Sequence, residues 1–513
     1  MESRAKLKYA VALILVFVWL CAGCAVMPQR LTPDEVAETV RQDQRAIEAG
    51  QEPISGVLTL YDAMARAVAY NLDHRTRMME QALAMGQLDL ANADMLPRMA
   101  ATAGYTWRSE EDASYSRGYW DRILSRQPSL SDDPSHVTAN LGFSWSILDF
   151  GLSYYLAKQQ ADRFLIAQNS RMKLVQRLMH QTRVAYVKAQ AAQEMGPAVR
   201  KILADVREAL AYLDKIQAER LQPPLATLQS RRALLELMGQ LESVEQSLVR
   251  AEVELKSLIN VRPGQELILE RPASADNPPM FQANLDDLEL VALQNSLDIS
   301  EQLYNTRIEQ VETRKALLRL LPDLNLRLGI NYDDNAYLMN QNWYDAGASV
   351  TWNLLRLTSL KDVQALSQTR ENLTTVRRMA LNMAVVTRLH LAWRQYGDAM
   401  NQLARARQLD ELEGEIARHT QAGVKADVSS RIERIRNDAG ALRARMRRHE
   451  NEAAVQDALG AFITSLGIDV SGNPETDRLA ALAEMENRVA DQMRRIEEGI
   501  LPEPYLPKAD KTR

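Results

Sequence analysis

Four segments of the chain alternate apolar and polar residues with the period of a β-strand. In the first, Ala101, Ala103, Tyr105 and Trp107 stand against Thr102, Gly104 and Thr106; in the second, Val137, Ala139, Leu141, Phe143, Trp145 and Ile147 alternate with Thr138, Asn140, Gly142, Ser144 and Ser146. The third sets Leu324, Leu326, Leu328, Ile330 and Tyr332 against Asn325, Arg327, Gly329 and Asn331, and the fourth sets Ala346, Ala348, Val350, Trp352 and Leu354 against Gly347, Ser349, Thr351 and Asn353. A period of two gives each strand two unlike faces. Strands of about ten residues are long enough to cross an outer membrane when tilted. Five of the seven tryptophans (Trp107, Trp120, Trp145, Trp343, Trp352) fall in these strands or the loops beside them, as expected where indole rings mark membrane interfaces. A soluble antiparallel sheet packed on a helix would alternate in the same way, and the period alone does not separate the two.

The remainder carries helical spacing. Residues 59–96 predict a helix with Leu60, Met64, Ala67 and Val68 on one face, closed by Pro97. From Gly151 to Gln222 the main breaker before Pro223-Pro224 is Gly196-Pro197, and about 70 residues of helix would reach about 105 Å. The next helix, 225–260, places Leu234, Leu237, Leu241, Val244, Leu248, Ala251, Leu255 and Leu258 on a heptad seam. A second long helix is expected over 358–421, with a turn at Gly423 and a return to about Leu466. There Ile432, Ile435, Ala439, Leu442 and Met446 keep the heptad until His449 and Glu452 interrupt it, as a polar neighbour or wet interior would require. The loops 109–135 and 335–343, with Asp132-Asp133-Pro134 and Asp333-Asp334-Asn335, predict hairpin tips.

The order helix, two strands, long helical hairpin occurs twice. Leu72-Asp73 and Leu96-Pro97 return 225 positions later as Leu297-Asp298 and Leu321-Pro322, and Trp145-Ser146-Ile147-Leu148 returns 207 positions later as Trp352-Asn353-Leu354-Leu355. An internal tandem duplication is the expectation. It places a first repeat at 59–268, a linker at 269–283, a second repeat at 284–468, and a peripheral helix with a tail at 469–513.

At the N-terminus Arg4, Lys6 and Lys8 precede an apolar run of about 12 residues from Tyr9 to Leu20, the pattern of a secretory signal and too short for a transmembrane helix. Cys21-Ala22-Gly23-Cys24 resembles the cleavage box of bacterial lipoproteins, with Cys21 where Leu is usual. Residues 1–23 are thus expected as a signal peptide and 24–58 as a segment anchored through acylated Cys24, Ala25 resembling an outer-membrane sorting residue. An ordinary signal peptide with a passive Cys24 thiol is the alternative.

Composition narrows the chemistry. The 513 residues are 46% hydrophobic and 25% charged, within globular ranges, and a net charge of −5 without a basic stripe argues against nucleic acid as a partner. Both cysteines lie in the first 24 residues, so no thiolate metal site is available elsewhere. The six histidines form no i, i+4 pair, and there is no Walker lysine loop, nucleophile elbow or His-Glu-x-x-His helix. No enzyme activity, metal site or cofactor is expected.

Four strands cannot close a membrane barrel, since single-chain barrels need at least eight, and open edges in lipid leave backbone groups unpaired. Two, three or four chains would supply eight, twelve or sixteen strands. The repeated plan, the phrases around Leu72-Asp73 and Leu96-Pro97, and Trp145-Ser146-Ile147-Leu148-Asp149-Phe150-Gly151 together resemble the TolC-type outer-membrane efflux family, in its lipoprotein branch, over about residues 55–470. The resemblance implies a mainly α chain with membrane β: a homotrimer with a twelve-stranded β-barrel in outer-membrane lipid and a periplasmic α-barrel of coiled-coil hairpins. It implies a passive exit duct for small molecules that docks with a periplasmic adaptor and an inner-membrane transporter.

By the same resemblance Arg220, Leu221, Pro223 and Pro224 lie at one periplasmic tip and Gly423 and Val424 at the other, where adaptors dock. Glu219 and Asp427 are candidate tunnel-mouth acids, although Asp427 equally suits the N-cap of the return helix. Two other functions stay open: the exit component of a type I protein secretion system, and a periplasmic lipid-anchored coiled-coil scaffold whose sheet is packed rather than inserted.

Overall fold

The computed structural model describes residues 28–219, 224–272, 277–281, 284–423, 428–468 and 482–500. Two units are distinguished, one ending at Ile54 and one starting at Ser55. The described part of the first is a single helix, α1 (Pro33–Glu48). Thr32 and Glu35 form a reciprocal capping box at its start, the Thr32 N–H donating to Glu35 Oε2 at 2.8 Å and the Glu35 N–H to Thr32 Oγ1 at 3.3 Å.

The second unit begins with a short strand, β1 (Val57–Leu58), followed by α2 (Leu60–Tyr70) and α3 (Leu72–Ala93). The single helix expected over 59–96 is therefore two. Asn71 has extended backbone, closes α2, and accepts the N–H groups of Asp73 and His74 with its own Oδ1 to start α3. The same break occurs later in the chain, where α6 (Leu285–Asn295) and α7 (Leu297–Leu318) meet at Ser296, whose hydroxyl accepts from the Ile299 N–H. Both helix pairs measure 11 and 22 residues.

The four alternating segments form one antiparallel sheet of β2 (Arg98–Trp107), β5 (Ser135–Ser146), β7 (Asp323–Asp333) and β8 (Asn342–Thr351), in the order β2-β5-β7-β8. Ile147 leaves the strand because Ser146 accepts the Asp149 N–H and caps the helix that follows. Trp352 and Leu354 likewise lie beyond β8, where Leu354–Ser359 forms a 3-10 turn, and Trp343 falls inside β8 rather than in the loop. The first hairpin loop holds a small ribbon of its own, β3 (Ala113–Ser114) with β4 (Ser129–Leu130).

From β5 the chain enters α4 (Ile147–Ala218), 72 residues that run through Pro197, and returns in α5 (Pro224–Leu258). A two-residue strand, β6 (Ile268–Leu269), then pairs in parallel with β1, and Tyr186 Oη reaches the carbonyl oxygens of Leu58 at 2.6 Å and Glu270 at 2.8 Å to fasten the pair to α4. After β8 comes α8 (Leu360–Gly423), 64 residues, and its return α9 (Val428–Ser465). Val199, Leu203, Val206 and Leu213 of α4, Leu234, Leu237 and Leu241 of α5, and Ile435, Ala439 and Leu442 of α9 form one core, so the two heptad seams face a common partner. Burial on this scale offsets the missing N–H of Pro197, through which α4 continues as helix. The last helix, α10 (Leu482–Glu497), packs Leu482 and Met485 against Ala65, Ala69 and Tyr70 of α2.

Candidate functional site

The register of the sheet decides which side chains share a face. Met99, Phe143, Leu328 and Ala346 stand in one cross-strand row, Ala101, Leu141, Ile330 and Tyr344 in another, and Trp145, Leu326 and Ala348 in a third. One face of the sheet is thus apolar across all four strands. The other carries Thr102, Asn140, Asn331 and Trp343 in one row and Ala100, Gly142, Gly329 and Asp345 in the next. On that face the Asn140 amide donates to Asn331 Oδ1, the Asn331 amide to Asp345 Oδ1, and Ser146 Oγ to Asp323 Oδ1 at 2.6 Å.

Among the described residues of the second unit nothing covers the apolar face at the two outer strands. Every residue of β2 and of β8 is exposed, and these two strands are the open edges of the sheet. A free edge of ten residues beside a bare apolar face is a surface that soluble proteins avoid. Among the described residues no helix is long and apolar enough to cross a membrane.

Beneath the sheet lies a cavity of about 530 Å³, bounded by Asp94, Leu96, Pro97 and Arg98 before and at the start of β2 and by Trp145 and Asp149 where β5 turns into α4. At the far ends of the hairpins, Glu219 is exposed and caps α4, its N–H donating to Lys215 O at 2.9 Å, and Pro224 opens α5. Gly423 is the last residue of α8. The arms of each hairpin are tied close to the turn, by Arg231 with Asp214 at 3.0 Å in one, and in the other by Gln421 with Asp438 and Asn437 with Thr420, both at 2.9 Å. Cys24, Arg220, Leu221, Pro223, Val424 and Asp427 lie outside the described residues.

Two ionic clusters join the helices, and periodicity revealed neither as a cluster. In one, Lys173 of α4 binds Asp298 at 2.6 Å and Glu301, and Asp298 also accepts from Arg388 of α8 at 3.2 Å. The recurring Leu-Asp pair at 297–298 therefore bridges α7 to both long helices. Burial alone would raise the Asp298 carboxyl and lower the Lys173 ammonium, but their mutual hydrogen bond and the added partners reverse both directions. In the other, Glu452, buried in α9, meets His449 Nδ1 at 2.9 Å, Arg271 Nη2 at 3.2 Å and Arg448 Nε at 3.4 Å. Arg271 also reaches Glu194 of α4 at 3.0 Å. The interrupted heptad thus has a polar neighbour, an arginine from the segment after β6. Burial pushes the Glu452 carboxyl up, yet the His449 hydrogen bond and the neighbouring Arg271 and Arg448 guanidinium groups hold it below its usual range.

The Asp298 cluster has an expected pH signature. A depressed carboxylate contributes stability above its ordinary range near about pH 4, and the contribution is lost as pH falls through the depressed value. The raised Lys173 contributes up to its ordinary alkaline range and loses its effect only above that. Asp298→Asn is therefore expected to lower the denaturation midpoint at pH 7, with the gap to wild type closing toward pH 3. An equal gap at both pH values would assign the loss to packing instead.

An open sheet with one apolar face, continuous with helical hairpins of this length, is an architecture shared with outer-membrane channels of known structure. The outer membrane efflux protein family model matches residues 63–261. The chain superposes on the outer-membrane channel OprN with a TM-score of 0.59 at 16% identity, covering 80% of this chain and 89% of that one. A membrane protein from Pseudomonas aeruginosa gives 0.62 at 14% identity over 89% of this chain and 100% of that one, and the CmeC outer membrane channel of Campylobacter jejuni gives 0.59 at 12% over 86% and 94%. No curated protein sequence matches the chain. The resemblance to the TolC-type outer-membrane efflux family read from the sequence is thereby shown, with the family's model matched over 63–261 and the fold that of its channels. The matched family is one of outer membrane efflux proteins, and these neighbours are channels or membrane proteins.

Proposed function

We propose that the chain is the passive outer-membrane exit duct of a tripartite efflux system for small molecules. Three copies complete a twelve-stranded barrel, and their paired hairpins continue as a periplasmic tunnel that docks with an adaptor and an inner-membrane transporter. The observation that carries this reading is the open four-stranded sheet, whose two edge strands are exposed throughout and have no strand partner among the described residues. Pairing β2 of one copy with β8 of the next satisfies both edges at once and turns the apolar face to lipid. A scaffold with a packed sheet is disfavoured by the same exposure.

The repeated 11- and 22-residue helix pairs support a tandem duplication as the origin of the plan. The hairpin ends carry the adaptor contacts in this reading, with Glu219 and Pro224 exposed beside the first turn, and with Asp427 as cap or mouth acid at the second. Acylated Cys24 anchors the mature chain to the outer membrane.

The native mass of protein extracted from outer membranes in mild detergent, by light scattering with detergent correction, tests the proposal. Three chains per particle are expected, and Cys24→Ala should keep that mass while losing fatty-acid labelling. A single chain per particle would return the sheet to the scaffold reading.

A further inference from the structure

The structure assigns to Arg98 and Arg327 a selectivity role: they form a cationic band on the polar face of the sheet that favours anionic cargo. The inference rests on the duct reading, in which that face lines the lumen. Arg98 of β2 pairs with Ser144 of β5, Ser144 with Arg327 of β7, and Arg327 with Gly347 of β8, so one unbroken cross-strand row reads Arg-Ser-Arg-Gly. The two arginines are two strands apart, about 10 Å, and both stand on the face opposite the apolar rows. Both are exposed.

Their surroundings leave the guanidinium groups room and charge. The row is flanked on one side by Ala100, Gly142, Gly329 and Asp345, and no atom lies within 4 Å of where a Cβ on Gly347 would stand. The carboxylates of the same face, Asp323, Asp333 and Asp345, keep their charge but accept from neutral donors and not from either arginine. Asp323 accepts from Ser146 Oγ at 2.6 Å and from the Asn325 amide at 2.6 Å, Asp333 from the Asn335 N–H at 3.0 Å, and Asp345 from the Asn331 amide. Asp94 and Asp149 border the cavity that Arg98 also borders. Among the described residues neither arginine forms an ion pair with any of these acids.

A guanidinium stays protonated at every physiological pH and presents a planar fork that matches carboxylate, sulfonate or phosphate oxygens. Three copies place six such groups around one stretch of a narrow, low-dielectric lumen, where like charges focus the potential instead of being screened. The row itself holds two basic and no acidic side chains, in a chain of net charge −5. Organic anions are favoured as they pass this row, and cationic amphiphiles meet a barrier.

The test is the reversal potential of the purified trimer in a planar bilayer under a KCl gradient, for wild type, for Arg98→Gln with Arg327→Gln, and for Arg98→Lys with Arg327→Lys. The glutamine pair is expected to lower the anion-to-cation permeability ratio severalfold and the lysine pair to restore most of it. A glutamine variant that assembles as the same trimer with an unchanged ratio overturns the band, whereas wild-type protein that forms no trimer overturns the duct reading itself. If a closed trimer carries no current, the contrast is read in binding of a trisulfonated pyrene dye to the trimer in detergent, where equal binding by wild type and the glutamine pair overturns the band.

Discussion

Leu328→Arg is expected to remove the protein from the outer-membrane fraction, although Leu328 is 54% exposed in the single chain. In a soluble sheet an exposed leucine is among the more forgiving positions, and arginine there would change stability by less than about 0.5 kcal/mol. Leu328 lies in the middle of β7 and shares its row with Met99, Phe143 and Ala346, all apolar. At the midplane of a bilayer an arginine on the lipid face of a barrel costs about 2–4 kcal/mol, and a trimer would carry the burden three times. Thr102→Arg, on the opposite face, should leave the protein in the membrane. Fractionation and native mass of the two variants read the contrast, and equal behaviour of the two would mean that the apolar face does not meet lipid.

Phe462→Ala is expected to cost the helical body about 3–5 kcal/mol, the range for removing a fully buried aromatic ring. Phe462 of α9 is completely enclosed. Its ring stands 5.2 Å from that of Trp393 on α8 and 5.4 Å from that of Phe281, which in turn lies 6.1 Å from Tyr396. Tyr396 donates its hydroxyl to Pro279 O at 2.6 Å, so the cluster fastens the connecting segment before α6 to both arms of the second hairpin. Denaturant titration of the helical signal in detergent measures the loss. Phe150→Ala, at a ring that is 39% exposed and touches Trp145, should lose far less. A loss below about 1 kcal/mol at Phe462 would show that the site refills on truncation.

The strands were legible because a sheet with two chemically different faces imposes a period of two on every one of them, as from Leu324 to Tyr332. Their limits were harder to read. Ile147 continues the alternation of Val137 to Trp145, yet the Ser146 hydroxyl caps a helix there, and a local hydrogen bond outranks the period. Asn71 and Ser296 split what read as continuous helix because residues on both sides are good helix formers, and only the capping geometry reveals the break. His449 and Glu452 announced a polar neighbour without identifying it, since Arg271 comes from a stretch with no periodicity at all. The hairpin ends at Glu219 and Gly423 were legible from their breakers. The arginine row was not, because Arg98 and Arg327 are 229 positions apart and become neighbours only through the register of β5 with both flanking strands.

The link between β1 and β6 carries a consequence for the order in which the chain acquires its structure. Val57 pairs with Ile268, so this small sheet closes a loop around the whole first hairpin and can form only after α4 and α5 have met. The helical hairpins, built from contacts close in sequence, form by a first-order process that is fast and independent of concentration. Pairing of the open edges at β2 and β8 with another copy is second order. In the proposed trimer, completion of the wall is therefore paced by how often copies encounter one another, and overproduction in a compartment without lipid is expected to divert the same edges into aggregates.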